Sequence, residues 1–188
     1  MNAEHEVTRR GTDLVVARMG GEGLREQRDD ILIVYREAYA ERLHNPFFYP
    51  ERFWERIERG SYRDGFRLVT GRVRGELVGF TLGSVLPANT AWWRGLRGTP
   101  DPDLVRETGS RTFGINELQV RPAWRRHGYA KAMSEALLED LPAERVTLLV
   151  RAENTPAYTA YLAWGFHTVG QMQPFDDSPR YEAMVKEL

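Results

Sequence analysis

The sequence predicts an α/β (α+β) fold with a mixed, mostly antiparallel central sheet flanked by helices. Segments with strand character alternate with segments of helical periodicity, and a tight turn joins two of the strand candidates. The 188 residues are enough for one domain with its own apolar core. We therefore expect one domain over residues 13–188, preceded by a flexible lead-in over residues 1–12.

The first half of the chain is predicted to hold three strands and two helices. The strands are expected at residues 13–18, 66–72 and 76–86. The helices are expected at residues 25–42 and 50–59. Glycines at 20, 21 and 23 are expected to break the chain before the first helix, and Asn45-Pro46 to end it. Arg74-Gly75 suits a tight hairpin, so the second and third strands should be antiparallel neighbours.

The second half is predicted to hold four strands and two helices. The strands are expected at residues 113–121, 145–151, 166–172 and 181–186. The helices are expected at residues 127–140 and 155–164. A connection over residues 87–112 is long for a compact domain, and such connections are often functional. Because the adjacent Trp92 and Trp93 rarely both face one core, we expect them to form a lid or a subunit contact.

Composition excludes several classes of function. The 26 basic and 27 acidic residues nearly cancel, so nucleic acid is not an expected partner, although a local basic patch remains open. The absence of cysteine excludes disulfides, thiolate metal sites and a covalent thioester on the enzyme. No apolar run is long enough to cross a bilayer and the first ten residues are polar, so we expect a cytoplasmic protein without a membrane partner. No metal-site motif is present in the sequence, and we expect no metal.

The strand-to-helix junction over residues 117–131 has the pattern of a phosphate site. A buried strand leads through a turn into a helix whose first residues include Gly128. Helix N-termini carry unpaired N–H groups and partial positive charge, and Arg125 and Arg126 can add charge-assisted bonds. Ala130 keeps the first turn narrow. The junction therefore predicts a pyrophosphate site, although many strand-to-helix turns with an arginine and a glycine bind no ligand.

A second segment lies about thirty residues downstream. Asn154, Ala157, Tyr161 and Gly165-Phe166 follow the spacing N-x-x-A-x-x-x-Y-x-x-x-G-F. Asn154 is placed to cap a helix or to bond the backbone, and Tyr161 lies well along that helix on a face that can point at a ligand.

Both segments, in this order and at this separation, resemble the two signature motifs of the GNAT superfamily of acyl-CoA-dependent N-acyltransferases. Arg125, Gly128 and Ala130 match its R/Q-x-x-G-x-G/A motif, and the second segment matches its downstream Asn…Tyr…Gly-Phe helix. The signature covers residues 113–170, and the element order extends the resemblance more weakly over the rest. The resemblance implies a single GNAT-type domain that transfers an acetyl group from acetyl-CoA to a primary amine by direct attack in a ternary complex.

The resemblance also implies roles for individual residues. Backbone contacts to the pantetheine arm would fall on Leu118, Gln119 and Val120. The pyrophosphate loop would comprise Arg125, Arg126, Gly128, Tyr129, Ala130 and Lys131. Asn154 would bond the pantetheine region. Tyr161 would lie near the thioester sulfur as the general acid that protonates the departing CoA thiolate.

Amine acylation also needs a polarised carbonyl and an uncharged amine. The backbone N–H of Val120 can polarise the carbonyl. For the base we favour Glu117, acting directly or through a water; a strand glutamate can equally face solvent or pair with an arginine. His44 and Asp64 are weaker candidates, and His127 is expected to be a solvent-facing spacer in the phosphate loop.

The sequence does not identify the acceptor amine. Aromatic residues can wall an acceptor pocket: Phe47, Phe48, Tyr49, Phe53, Trp54 and the tryptophan pair. Of these, Phe53 and Trp54 are expected to be core residues. Balanced charge favours a small-molecule amine, with a macromolecular acceptor (a protein N-terminus or lysine, or aminoacyl-tRNA) as one alternative and a non-catalytic CoA-binding module as another. An acyl group larger than acetyl stays open, and so does a homodimer, since members of the superfamily often dimerise.

Overall fold

Strands and helices alternate along the computed structural model, which describes residues 5–8 and 13–188. The strands are β1 (His5–Thr8), β2 (Leu14–Met19), β3 (Arg67–Val73), β4 (Glu76–Val85), β5 (Thr112–Val120), β6 (Arg145–Val150), β7 (His167–Met172) and β8 (Tyr181–Glu187). The α-helices are α1 (Gly21–Glu26), α2 (Arg28–Ala38), α3 (Pro50–Gly60), α4 (Pro102–Val105), α5 (Tyr129–Leu138) and α6 (Thr155–Ala163). Short 3₁₀ helices lie at Ala40–Arg42, Pro46–Phe48, Trp92–Gly95 and Pro122–Trp124.

The chain divides into two compact units. The first comprises the described residues up to Ser84 together with Glu117–Leu141, and the second comprises Val85–Asn116 and Pro142–Leu188. Strand β5 begins in the second unit, and its last four residues belong to the first. The division into a lead-in over residues 1–12 and one domain stays a prediction. Four residues of that lead-in, His5–Thr8, form β1, which pairs with β2, and the rest of it lies outside the described residues.

An antiparallel run of strands β1 to β4 forms the sheet of the first unit. The predicted hairpin is confirmed: Val73 pairs with Glu76, and Arg74 and Gly75 both have positive φ, at 52° and 82°. Two successive positive φ values match the type I′ turn, whose twist suits a two-residue hairpin. Helix α5 packs on β2 and β3, with Met133 fully buried.

Helices α1 to α3 and strands β3 and β4 share one apolar cluster in this unit. Its largest fully buried members are Tyr35, Phe53 and Phe80, and the Tyr35 and Phe53 rings stack with centroids 3.8 Å apart. Phe53 and Trp54 are 0% and 6% exposed, which confirms that they are core residues. Helix α3 lies where it is predicted, at residues 50–59, and includes Gly60 as one further residue.

The single helix expected over residues 25–42 is wrong in its extent. The structure has α1 and α2, separated at Gln27, followed by a 3₁₀ turn over Ala40–Arg42. The glycines expected to break the chain instead start α1, with Gly20 at its N-cap position. Gln27 and Tyr39 have φ/ψ of −90°/10° and −112°/15°, outside helical geometry, so the periodic apolar pattern continues across two backbone breaks.

Strands β5, β6, β8 and β7, in that order, form the sheet of the second unit. Thr112–Ile115 of β5 pairs parallel with β6, whereas β6 with β8 and β8 with β7 pair antiparallel. Together with the antiparallel strands of the first unit, this confirms the predicted α/β class with a mixed, mostly antiparallel sheet and accompanying helices.

The connection over residues 86–111 is ordered by a buried polar network. Glu107 Oε1 accepts hydrogen bonds from Trp93 Nε1 at 2.9 Å, Thr112 Oγ1 at 2.8 Å and Arg145 Nη2 at 3.0 Å. The Glu107 and Arg145 side chains are 1% and 4% exposed. Arg145 Nη2 also donates to the carbonyl oxygen of Leu104, so the ion pair holds this connection against β5 and β6.

The lid or subunit contact expected of the tryptophan pair is wrong for Trp93. Trp93 is 6% exposed and belongs to an apolar cluster with Leu96, Met172 and Val185. Trp92 is half-buried and packs against the same cluster. Both rings therefore contribute to one core, Trp93 as a buried member and Trp92 from its partly exposed edge.

Candidate active site

The start of helix α5 leaves an open space above Gly128. Gly128 is the N-cap residue, with φ 79° and ψ 0°, and a Cβ placed on it would meet no atom within 4 Å. The helix begins at Tyr129, two residues later than predicted, and Ala132 N donates to Gly128 O at 3.0 Å. The preceding amides, of Tyr129, Ala130 and Lys131, belong to the helix start and have no partner within the helix. Such an end can bind an anion.

The turn before this helix is tied to the end of β5. Arg125 Nε donates to Val120 O at 3.1 Å, and His127 Nδ1 lies 2.8 Å from Arg125 O. The His127 ring is exposed and stacks on the Tyr129 ring, with centroids 5.5 Å apart. His127 therefore faces solvent within the turn, as predicted.

Three cations surround the helix start. Arg125, Arg126 and Lys131 are all exposed, and Lys131 Nζ lies 3.9 Å from Glu135 Oε1 one turn further along α5. Arg126 has a positive φ of 67°. Exposed cationic heads beside unpaired helix amides create a local positive field on a chain whose net charge is close to zero.

Glu117 lies in the first unit with its carboxylate almost covered. The side chain is 11% exposed, and Oε1 lies 3.3 Å from Arg56 Nη2. Gln119 Nε2 donates to Oε2 at 3.1 Å, and Thr81 Oγ1 donates to the Glu117 carbonyl oxygen at 2.9 Å. Burial raises the pKa of Glu117. The charge of Arg56 opposes that rise, as do the hydrogen bonds that Gln119 and Arg56 donate to the carboxylate.

From the sequence, Glu117 is either the catalytic base or a strand glutamate that faces solvent or pairs with an arginine. The carboxylate does pair with an arginine, but it is buried rather than facing solvent. His44 and Asp64, the weaker candidates for the base, are both exposed. A buried carboxylate with a raised pKa is the kind of group that takes up and releases a proton in catalysis.

Arg56 and Tyr39 are site residues that the sequence reasoning missed. Gln119 Nε2 donates to Tyr39 Oη at 3.1 Å as well as to Glu117. The Arg56 guanidinium lies 5.5 Å from the Phe47 ring centroid. Arg56 and Glu117 are 61 residues apart, so the sequence does not show that they pair. The sequence does show that Arg52 and Arg56, four residues apart, lie on one face of a helix.

The backbone of β5 near Glu117 is the segment predicted to contact the pantetheine arm. The parallel register with β6 covers Thr112–Ile115 and includes none of Leu118, Gln119 and Val120. These three residues are half-buried. The Val120 carbonyl oxygen accepts from Arg125, so the strand edge is partly occupied by the protein's own turn.

Helix α6 of the second unit carries Asn154 and Tyr161. Asn154 is the N-cap residue as predicted, but its side chain makes no capping hydrogen bond. Tyr161 is half-buried, with its ring edge-on to Trp164 at 5.4 Å and to Phe166 at 5.7 Å. The structure thus brings the candidate residues together as two groups, one from β5 to α5 and one on α6.

Within residues 5–8 and 13–188 no helix is long and apolar enough to cross a membrane. The same residues contain no cluster of three or more His, Asp and Glu side chains that could hold a metal ion.

The sequence model of the acetyltransferase (GNAT) family matches residues 31–166. A sequence search of curated proteins finds no match. Several solved structures share the fold. The Thermoplasma acidophilum PaiA N-acetyltransferase in complex with coenzyme A is 13% identical, with a TM-score of 0.57 over 93% of this chain and 99% of that one.

Two further structures are similar at low identity. Ard1 from Thermoplasma volcanium is 19% identical, with a TM-score of 0.63 over 94% of this chain and 99% of that one. The Escherichia coli ribosomal-protein-S18-alanine N-acetyltransferase is 15% identical, with a TM-score of 0.63 over 93% of each chain. These likenesses establish the fold, and the family match extends over most of the chain. The protein therefore belongs to the GNAT family of acetyltransferases and is an acyltransferase.

Proposed function

We propose that this protein transfers an acetyl group from acetyl-CoA to a primary amine of a small molecule. The observation that carries the proposal is the open, left-handed Gly128 at the start of α5, on a chain that belongs to the GNAT family. The PaiA structure supports CoA as the donor, because that protein shares the fold and binds coenzyme A.

The residues at the α5 start fit a pyrophosphate. A doubly charged group there would accept from the amides of Gly128, Tyr129, Ala130 and Lys131, and Arg125 and Arg126 would add charge-assisted bonds. The space above Gly128 lets the ligand approach the backbone closely. Leu118, Gln119 and Val120 would bind the pantetheine arm through their backbone, and Asn154 would bond the same region.

In the proposed reaction the amine nitrogen attacks the thioester carbonyl directly. The C–N bond forms, the C–S bond breaks, and the departing thiolate takes a proton from Tyr161. Glu117 takes the proton that the amine loses, directly or through a water. The Val120 N–H polarises the carbonyl oxygen. The raised pKa of Glu117 supports its role, because a base works best when its pKa lies near the working pH.

A small amine is the acceptor that the composition supports. The net charge of −1 argues against an extended positive surface of the kind that binds aminoacyl-tRNA. Similarity to the ribosomal-protein-S18-alanine N-acetyltransferase is limited to the fold at 15% identity, so a protein acceptor enters as an outcome of the test. The same holds for a module that binds CoA without turnover.

An acceptor screen that follows CoA release tests the proposal. Polyamines, amino acids and aminoglycosides form the small-amine arm, and peptides and aminoacyl-tRNA form the macromolecular arm. The protein contains no cysteine, so a thiol reagent detects released CoA without background from the protein. We expect turnover in the small-amine arm alone. Turnover confined to peptides or tRNA would reassign the acceptor, and binding of acetyl-CoA without turnover in any arm would contradict catalysis.

Tyr161→Phe serves as the matched variant in this screen. It retains the ring packing against Trp164 and Phe166 and removes only the hydroxyl group. We expect acetyl-CoA binding by calorimetry to be unchanged and kcat to fall by about 10²- to 10⁴-fold, the usual contribution of a general acid. Wild-type turnover in Tyr161→Phe would remove this residue from the acid role.

A further inference from the structure

We infer that Arg56 and Gln119 are positioning residues that hold the Glu117 carboxylate ionised and fixed in direction for proton transfer. The inference rests on the proposed role of Glu117 as the base. Arg56 lies outside the two signature segments, and Gln119 lies within the first of them but is assigned there only a backbone contact to the pantetheine arm. Each contacts a different oxygen of the same carboxylate.

The contact between Arg56 and Glu117 compensates for the burial of a charge. Glu117 Oε1 lies 3.3 Å from Arg56 Nη2, with 11% and 33% of the two side chains exposed. A buried carboxylate without a cationic partner takes up a proton and loses its ability to act as a base.

Two aromatic rings hold the Arg56 guanidinium in place. Its central carbon lies 5.5 Å from the Phe47 centroid and 5.9 Å from the Phe53 centroid. Both rings are at most 5% exposed, so they are fixed parts of the core. A cation beside aromatic rings is attracted to their faces, which limits the directions that the guanidinium can adopt. Arg56 is therefore presented to Glu117 from a rigid surface of α3.

Gln119 fixes the other oxygen. Its amide nitrogen carries two hydrogens, and the structure uses both: one bond goes to Glu117 Oε2 and one to Tyr39 Oη, each at 3.1 Å. Tyr39 is itself held between aromatic neighbours, with centroids 4.7 Å from Tyr35 and 5.2 Å from Phe48. The plane of the carboxylate is thus set at two points, and its remaining lone pairs have a fixed direction.

The groups around Glu117 come from four elements of the first unit. Arg56 is supplied by α3, Gln119 by β5 and Tyr39 by the end of α2, while Thr81 of β4 holds the Glu117 backbone. Arg56 carries the one full charge in this set. Burial raises the pKa of Glu117, and Arg56 is the largest opposing influence. Removal of the Arg56 charge must therefore raise that pKa further.

The test compares wild type with Arg56→Gln, Arg56→Lys and Arg52→Gln. The ¹³C chemical shift of the Glu117 carboxyl carbon is followed against pH, and kcat/KM is measured against pH in the same buffers. Arg52 lies one helical turn before Arg56, and its guanidinium is 5.1 Å from the same Phe47 ring. Arg52→Gln thus removes a cation from the same helix face and the same ring, and the residue replaced has no role in the proposed reaction.

We expect Arg56→Gln to raise the pKa of Glu117 by about 1 unit or more, the size of effect that a neighbouring opposite charge has. The acidic limb of kcat/KM should move to higher pH by the same amount, which is about a tenfold loss of kcat/KM below that limb. Arg56→Lys should restore most of both shifts, and Arg52→Gln should move neither. Arg56 is partly exposed, so the variant should fold, which circular dichroism checks.

Three results would overturn the inference. The first is an unchanged carboxyl titration in Arg56→Gln, and the second is an equal shift in Arg52→Gln. The third is a shifted titration with an unmoved rate profile, because the ionisation of Glu117 then has no bearing on the reaction. Failure of the proposed function looks different: no acyl transfer occurs in wild type with any amine, while the carboxyl titration still responds to Arg56→Gln.

Discussion

Replacement of Gly128 by alanine adds one methyl group where the proposed pyrophosphate approaches the backbone. A Cβ at this position meets no protein atom within 4 Å, so the free protein accommodates the methyl group without a steric clash. The backbone is strained instead, since φ is 79° and an L-residue in this region costs roughly 1–2 kcal/mol. For a chain of this size, that lowers Tm by about 2–8 °C.

The effect on the ligand is separate from the effect on stability. In the proposed complex, a phosphate oxygen lies at hydrogen-bonding distance from the helix amides, where the new methyl group would project. Loss of one charge-assisted hydrogen bond costs about 1.5–3 kcal/mol. We therefore expect Gly128→Ala to bind acetyl-CoA about 10- to 100-fold more weakly by isothermal titration calorimetry.

Gly75→Ala is the matched control. Gly75 lies at the β3–β4 turn with φ 82°, and a Cβ there also meets no atom within 4 Å. The backbone strain is the same, but no ligand is proposed at this turn. Gly75→Ala should lose a similar amount of thermal stability and keep wild-type affinity for acetyl-CoA. Equal affinities of the two variants would refute the assignment of the phosphate site to Gly128.

Three further predictions concern stability. Burial raises the pKa of Glu117, so the contribution of Glu117 to the free energy of unfolding falls as pH rises above the ordinary glutamate value of about 4.3. The stability of Glu117→Gln relative to wild type should therefore be greater at pH 7 than at pH 4, as measured by urea denaturation. Trp93→Phe removes the donor to Glu107 and should cost about 1–3 kcal/mol; Trp92→Phe should cost less, because Trp92 Nε1 has no partner among the described residues. Arg67 donates to the carbonyl oxygens of Leu137, Glu139 and Asp140 at the end of α5, so Arg67→Gln should lower Tm by several degrees in thermal denaturation.

Local signals account for the parts of the fold that the sequence predicts well. The Arg74-Gly75 hairpin follows from turn chemistry, and the bounds of α3 follow from Pro50 at its start and Gly60 at its end. The turn into α5 follows from an arginine and a glycine at the spacing of a known motif. In each case the determining interactions lie within a few residues along the chain, where a sequence shows them.

Contacts between distant segments account for what the sequence does not predict. The Arg56–Glu117 pair joins residues 61 positions apart, and the Glu107–Arg145 pair joins residues 38 positions apart. A charged residue in a sequence appears as a solvated side chain until its partner is known, because burial and pairing are tertiary properties. The core position of Trp93 has the same origin, since its hydrogen bond to Glu107 spans a loop.

Strand β5 limits where the chain can change in length. Thr112 at its start bonds Glu107, and Glu117 further along bonds Arg56. Side chains of a strand alternate between its two faces, so a one-residue insertion between them would reverse the direction of one of the two. Homologous chains should therefore vary in length within residues 86–106, and keep the interval from Thr112 to Glu117 at constant length.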